Sequence, residues 1–395
     1  MSKITPETRA RMKSRTRLVY AGRQPEEQFG FVNTPIYRGS TVLSPTVKDL
    51  YENKARFTYG TKGTPTTEAL ETAWSEISGA QGTVLAPTGL AAIALALSTA
   101  TKSGDHLLVT DSAYFPTRKF CDRYLKRMGV ETTYYDPRVG AGIATLIRPN
   151  TTAILTEAPG SQSFEVQDVP AISAVARERG ICVLIDNTWA TPLFYPPHER
   201  GADLAIEAGT KYLSGHSDLM LGLVSANKEW WPRLRETFDL FAMCAGPEDV
   251  FLALRGLRTM ELRLREAQQQ GLAMAHWLAA RPEVQTVLHP ALPSHPDHAI
   301  WKRDFSGSSG LFSIVLQPAS DRAVAAMLDG LELFGMGYSW GGFESLVIPF
   351  DCASYRTATT WAPGGPALRL QIGLEDVEDL QADLDAGFRR LRETK

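Results

Sequence analysis

The chain has 395 residues, 44% of them hydrophobic and 22% charged, and a formal net charge of -3. This length supports two or three domains around a sizeable core, and the ordinary composition excludes wholesale disorder. The near-neutral balance points to neither a nucleic acid nor a membrane partner. With a polar start and no apolar run long enough to span a bilayer, a cytoplasmic protein is expected.

Residues 1–60 mix Pro35, Pro45 and several glycines with little periodicity, and are expected to form an arm rather than a domain. Leu70, Trp74 and Ile77 at helical spacing predict a helix over 66–77, capped by Thr66 or Thr67. A strand over 83–86, the turn Pro87-Thr88-Gly89 and an Ala-rich helix over 90–99 follow. Strands are expected over 106–110, 153–156, 182–185 and 204–207, with an amphipathic helix over 169–179 that ends at Gly180. Apolar strands separated by helices predict a large α/β domain over 61–256, its sheet mainly parallel and covered on both faces. Past Gly256, helices over 265–280, 321–331 and 378–391 with strands at 310–316 and 368–372 predict a smaller C-terminal α+β domain over 257–395.

Open α/β sheets bind ligands beyond the carboxyl ends of their strands. Asp186 ends one predicted strand there, and Lys211 follows another in a small-residue loop, Gly209-Thr210-Lys211-Tyr212-Leu213-Ser214-Gly215. A lysine able to form a Schiff base and an aspartate able to keep a pyridine nitrogen protonated are the two parts a pyridoxal 5'-phosphate (PLP) site needs. A solvated loop lysine is the bland alternative.

Other residues sort around this pair. The strand-to-helix turn at Gly89 and Leu90 can offer backbone N–H groups to a phosphate, and Thr210 a hydroxyl. Tyr114 lies past the 106–110 strand, where its ring can stack on a cofactor or cap the core. Arg369 is a charge inside an apolar strand, so either a substrate carboxylate or an internal salt bridge is expected beside it. The four cysteines are dispersed without a C-x-x-C pair, and His295 and His298 lack a ligand motif. No metal site and no disulfide scaffold is expected.

Several stretches together carry a resemblance over the whole length. They are Tyr59-Gly60, Asp111-Ser112-Ala113-Tyr114, Glu157-Ala158-Pro159-Gly160-Ser161 and Ile185-Asp186-Asn187-Thr188-Trp189-Ala190. To these add Ala208 through Asp218, Tyr338-Ser339-Trp340-Gly341-Gly342, and Arg369 with Ile372-Gly373-Leu374-Glu375-Asp376. With these motifs the chain resembles the Cys/Met-metabolism PLP enzymes, most of all their β-eliminating members. The resemblance implies PLP fold type I (aspartate-aminotransferase-like) and a homotetramer of two close dimers. Lys211 would bind PLP, Asp186 would pair with the ring nitrogen and Tyr114 would stack on the ring and assist proton transfer. Gly89, Leu90 and Thr210 would hold the phosphate, with Tyr59 reaching in from a neighbouring subunit. Arg369, Ser339, Trp340 and Tyr59 would hold the substrate. Thr61 departs from the family pattern, which commonly has a phosphate-binding arginine there. Weaker PLP retention is therefore expected unless Lys62 supplies the charge. Asp239 falls where relatives can have an aromatic residue near the substrate.

The implied reaction is β-elimination of a small sulfur amino acid, L-cystathionine, to homocysteine, pyruvate and ammonia. The alternatives are a γ-acting relative, a lyase for cysteine or its conjugates, and a PLP-binding regulator without turnover.

Overall fold

The computed structural model describes residues 4–394. Short apolar segments of the first half form β1 (Gly82–Ala86), β2 (His106–Thr110), β3 (Glu131–Tyr135), β4 (Thr151–Glu157), β5 (Cys182–Asp186), β6 (Leu204–Glu207) and β7 (Gly222–Ala226). They make one seven-stranded sheet in the order β1-β7-β6-β5-β4-β2-β3. The neighbours from β6 to β3 are parallel, while β7 runs antiparallel to both β6 and β1.

Although the runs look uniformly apolar, their alternate residues separate onto two faces. Leu107, Val109, Ala153, Leu155, Leu184 and Ile206 pack under the Gly89–Ala100 helix. Leu108, Ile154 and Val183 pack on the other face with Ile172 and Ala176 of the Val169–Arg177 helix. Two strands carry no signal of their own. β3 is an edge strand of Glu, Thr and Tyr, and β7 opens on a glycine and includes Ser225, so neither shows an apolar run.

The predicted cap of the first long helix is corrected. The Pro65–Ser78 helix is capped by Thr64, whose hydroxyl accepts from the Thr67 amide while Thr67 returns the bond, and Pro65 fits the first turn. Thr66 ties down the arm instead, donating to the Pro35 carbonyl at 2.7 Å and accepting from the Tyr37 amide at 2.8 Å.

The second sheet is antiparallel, with β8 (Val284–Leu288), β9 (Leu311–Leu316), β10 (Leu346–Phe350) and β11 (Ala367–Gln371) in the order β10-β11-β9-β8. The Met260–Ala279 helix joins the two halves: Met260, Leu264 and Ala267 pack with Leu213 and Leu221, whereas Met274, Ala275 and Leu278 enter the core of the small sheet. The expected boundary at 256/257 falls inside the Pro247–Leu257 helix. Among the described residues, no helix is long and apolar enough to cross a membrane, and no cluster of three or more His, Cys, Asp or Glu could hold a metal ion.

A loop from the small sheet is stapled to the large one by two enclosed carboxylates. Asp111 accepts from the amides of Thr357, Ala358 and Thr359, from the Thr359 hydroxyl, and from Arg118 at 2.8 Å. Glu165 pairs with Arg356 at 2.6 Å, their side chains 8% and 3% exposed. Burial opposes ionisation of both acids, yet their donors outweigh it and hold both pKa values below the ordinary carboxyl range. Such groups stabilise the fold above the unfolded carboxyl pKa, and that contribution is lost as pH falls through the folded pKa. Removing one partner of a buried pair costs about 3–5 kcal/mol. Arg356→Met should therefore lower the urea midpoint clearly at pH 7, and the deficit should shrink below pH ~4 as Glu165 protonates in the unaltered chain. An equal deficit at both pH values would contradict this.

Candidate active site

Glu157, Asp186 and Glu207 end β4, β5 and β6, so three adjacent strands deliver acids to one sheet edge. Asp186 accepts from the Thr188 amide at 3.1 Å and the Thr188 hydroxyl at 2.5 Å, both through Oδ1. The same hydroxyl accepts from the Ala208 amide at 3.0 Å, so Thr188 links the end of β5 to the turn that carries Lys211. Enclosure raises the Asp186 pKa above its usual value, with the Thr188 bonds and Lys211 opposing.

The Lys211 turn is wound tightly. The Lys211 amide donates to Ala208 O, Ser214 N to Gly209 O, and Gly215 N to Lys211 O. Gly215 has φ +69°, and a Cβ there would strike the Arg263 guanidinium. Arg263 itself donates to the Tyr212 and Leu213 carbonyls at 2.8 and 3.1 Å and closes the turn. Thr210 is used inside the turn, its hydroxyl accepting from the Leu221 amide at 3.0 Å with the Leu221 carbonyl 3.3 Å away.

The Lys211 Nζ donates to Ser339 Oγ at 2.7 Å and lies 5.2 Å from the centroid of the Trp340 ring. Loss of hydration, then the positive charge of Arg369, lower the Lys211 pKa to about 8, with Asp186 opposing. Trp340 also packs on the Tyr212 ring, which makes it a wall behind the amine.

Arg369 lies mid-β11, paired with Ile348 of β10 and Ser313 of β9. Its Nη2 donates to the carbonyls of Gly337, Tyr338 and Ser339, and its buried Nε has no partner. Among the described residues no carboxylate pairs with it, so the internal salt bridge is absent. Tyr114 sits close to the same charges. Its phenol pKa is raised by enclosure, then by Glu157 and Asp186, with Arg369 opposing. Its amide donates to Glu157 Oε2 at 2.7 Å.

At the Gly89–Ala100 helix, Thr88 satisfies the Ala91 amide through its side chain and the Ala92 amide through its carbonyl, which leaves the amides of Gly89 and Leu90 for an anion. A Cβ at Gly89 would lie 2.9 Å from Ala208 Cβ, so this helix start abuts the Lys211 turn. Lys211, Asp186, Tyr114 and the amides of Gly89 and Leu90 thus share one edge. Two free amides, an Asp186 oxygen outside the Thr188 bonds and a weakly basic lysine fit PLP well.

Tyr59 is half exposed, and among the described residues no hydrogen bond or ring contact joins it to this group. Lys62 pairs with Asp239 at 3.3 Å, and Asp239 also holds Arg235 at 3.0 Å, so the basic residue after Thr61 is engaged within its own chain. The sequence reading gave no role to Glu157, Glu207 or Thr188. The first two carry the signal that marked Asp186, an acid at the end of an apolar strand.

Residues 15–389 match the model of the Cys/Met metabolism PLP-dependent enzymes. A putative cystathionine beta-lyase of Rhizobium johnstonii is 52% identical over 94% of this chain and 95% of its own. The cystathionine beta-lyase of Escherichia coli is 43% identical over 95% of this chain and 98% of its own. The crystal structure of a cystathionine gamma synthase from Xanthomonas oryzae superposes with a TM-score of 0.89 at 32% identity, covering 97% of this chain and all of that one. The chain belongs to the Cys/Met-metabolism family of PLP-dependent enzymes.

A Lys211 amine near 8 should be visible without any cofactor. Reductive methylation of the PLP-free protein with a carbon-13 label should give one lysine resonance titrating near pH 8, absent in Lys211→Arg. A titration near the free-lysine value of about 10.4 would contradict this geometry.

Proposed function

We propose, on the premise of this family membership, that the chain is a carbon–sulfur lyase that eliminates homocysteine from L-cystathionine and yields pyruvate and ammonia. The observation that carries the reading is the constellation of Lys211, Asp186, Tyr114 and a carboxylate-free Arg369 on one edge. Relatives named for β-lyase activity, at 52% and 43% identity, support the choice of reaction.

Bound at this edge, PLP supplies an electron sink for the charge that develops at the substrate's Cα. Asp186 would hold the protonated ring nitrogen, the amides of Gly89 and Leu90 would hold the phosphate, and Tyr114 would cover the ring. Arg369 places the substrate carboxylate through its planar fork, with Nε free to donate. Lys211 is the base for the α-proton. At about 8 its amine is neutral in roughly one molecule in ten at pH 7, far more often than an ordinary lysine. Ser339 keeps that amine aimed while it waits. The proton then passes to the departing sulfur, from Lys211 or from the Tyr114 phenol, so homocysteine leaves as the thiol. Water completes the products.

The same groups can serve a γ-acting relative, and the Xanthomonas oryzae neighbour is named as a gamma synthase. Product identity separates the readings. We infer a cytoplasmic homotetramer of two close dimers. Supporting this assembly, the arm exposes Phe29 (95%), Leu43 (88%) and Tyr51 (83%), an apolar surface that a second copy would cover. Tyr59, on the same segment, would then reach a neighbouring site. Thr61 together with an engaged Lys62 argues for weaker phosphate retention.

PLP-loaded protein given L-cystathionine should release pyruvate and homocysteine, and Lys211→Ala should abolish this while unfolding at the same urea concentration. Oxobutyrate with cysteine would move the chain to the γ-lyases. Arg369→Lys, which loses the fork but keeps the charge, should raise KM for L-cystathionine by about tenfold or more, since one good bidentate contact exceeds 1.4 kcal/mol. An unchanged KM would remove Arg369 from substrate binding.

A further inference from the structure

Glu157 and Asp186 are registered neighbours on the parallel pair β4 and β5. They extend the rows Ala153-Leu155 and Cys182-Leu184, whose apolar members form the core under the Gly89–Ala100 helix. Side chains at registered positions stand on one face with backbones about 5 Å apart, so an apolar layer ends in two adjacent carboxyl groups. Among the described residues neither is in a salt bridge. Two acids so placed disfavour carrying two charges, and the cation Lys211 acts on Asp186. Asp186 is the one with a use for charge, because a protonated ring nitrogen requires it.

Glu157 has a different task. Its Oε2 accepts from the Tyr114 amide at 2.7 Å, across from the end of β4 to the segment after β2. Tyr114 immediately precedes the Phe115–Lys119 helix, where its amide has no helical partner. The Ser161 amide lies near the Glu157 carboxyl as well, though its hydrogen bond goes to the Ser112 carbonyl at 2.9 Å. The Gln167 side chain donates to the Glu157 carbonyl at 2.7 Å and fixes its backbone. An acid's oxygen can accept the Tyr114 bond without being charged.

We propose that Glu157 is a positioning residue, carried as the neutral acid, that holds Tyr114 over the site and leaves Asp186 the single anion beside it. The inference rests on the reading of Lys211 and Asp186 as the PLP site. Asp186 from β5 and Tyr114 from the segment after β2 face Glu157; behind them, Glu207 and Lys211 face Asp186, and Arg369 faces Tyr114 and Lys211. Loss of hydration, followed by Asp186, raises the Glu157 pKa well above the ordinary value, with the Tyr114 and Ser161 amides opposing. Glu207, 2% exposed, is raised for the same reasons and adds no cation.

Glu157→Gln keeps a neutral acceptor of the same length, whereas Glu157→Ala removes it. In the holoenzyme, Glu157→Ala should lower kcat about tenfold with a smaller change in KM, and Glu157→Gln should recover most of that loss. The visible absorbance of the bound cofactor should titrate with pH in Glu157→Gln as it does in the unaltered protein. An infrared difference spectrum between those two proteins should lose a protonated-carboxyl C=O band. Loss of an ionised-carboxylate band, a displaced absorbance titration, or a Gln variant as slow as the Ala variant would each overturn the proposal. If the Ala variant fails to fold, the infrared and absorbance readouts on the Gln variant still decide it. An unaltered chain that takes up no PLP would instead sink the functional reading, and is seen before any variant is made.

Discussion

The Arg369 guanidinium lies in an interior strand, bonded to the carbonyls of Gly337, Tyr338 and Ser339 and, among the described residues, without a carboxylate partner. Burial lowers its pKa to about 10, yet it stays charged at neutral pH and adds to the loss of hydration that chiefly depresses the neighbouring Lys211 amine. One unpaired cation therefore does two things. In the proposed function it would offer a fork to a carboxylate-bearing substrate, and it would help the loss of hydration keep the lysine beside it available as a base. A carboxylate built in beside Arg369 would compete with a substrate for the fork and offset the charge that acts on Lys211.

That cation belongs to β11, while Lys211, Asp186 and Tyr114 belong to the large sheet. Their relation is only as good as the joint between the sheets. The Met260–Ala279 helix shares its length between both cores, and the loop after β10 is locked by Asp111 and Glu165 onto the segments that flank Tyr114 and Ser161. The buried ionic staples sit where positional error would matter most to the chemistry.

Much of this was legible in the sequence because apolar strands ending in acids leave a one-dimensional trace. Asp186 after Cys182-Val183-Leu184-Ile185 and Lys211 among small residues could be placed on one edge before any coordinates. The orphan state of Arg369 could not, because whether a strand arginine has a partner depends on contacts distant in the chain. β3 and β7 were illegible for another reason. An edge strand of threonines and tyrosines and a short strand opening on glycine gain their order from neighbours rather than from their own pattern. The Thr64 cap was missed because Thr66 and Thr67 are equally good letters, and only the Pro35 and Tyr37 contacts show that Thr66 serves the arm. Glu157 bore the same signal as Asp186, but its amide contact with Tyr114 spans 43 residues.

The central claim is that Lys211 is the residue to which PLP attaches. Treating the PLP-loaded protein with borohydride and mapping the pyridoxyl group by peptide mass spectrometry tests it directly. The account predicts a single modified peptide with the group on Lys211. A pyridoxyl group on another lysine, or none on any, would contradict it.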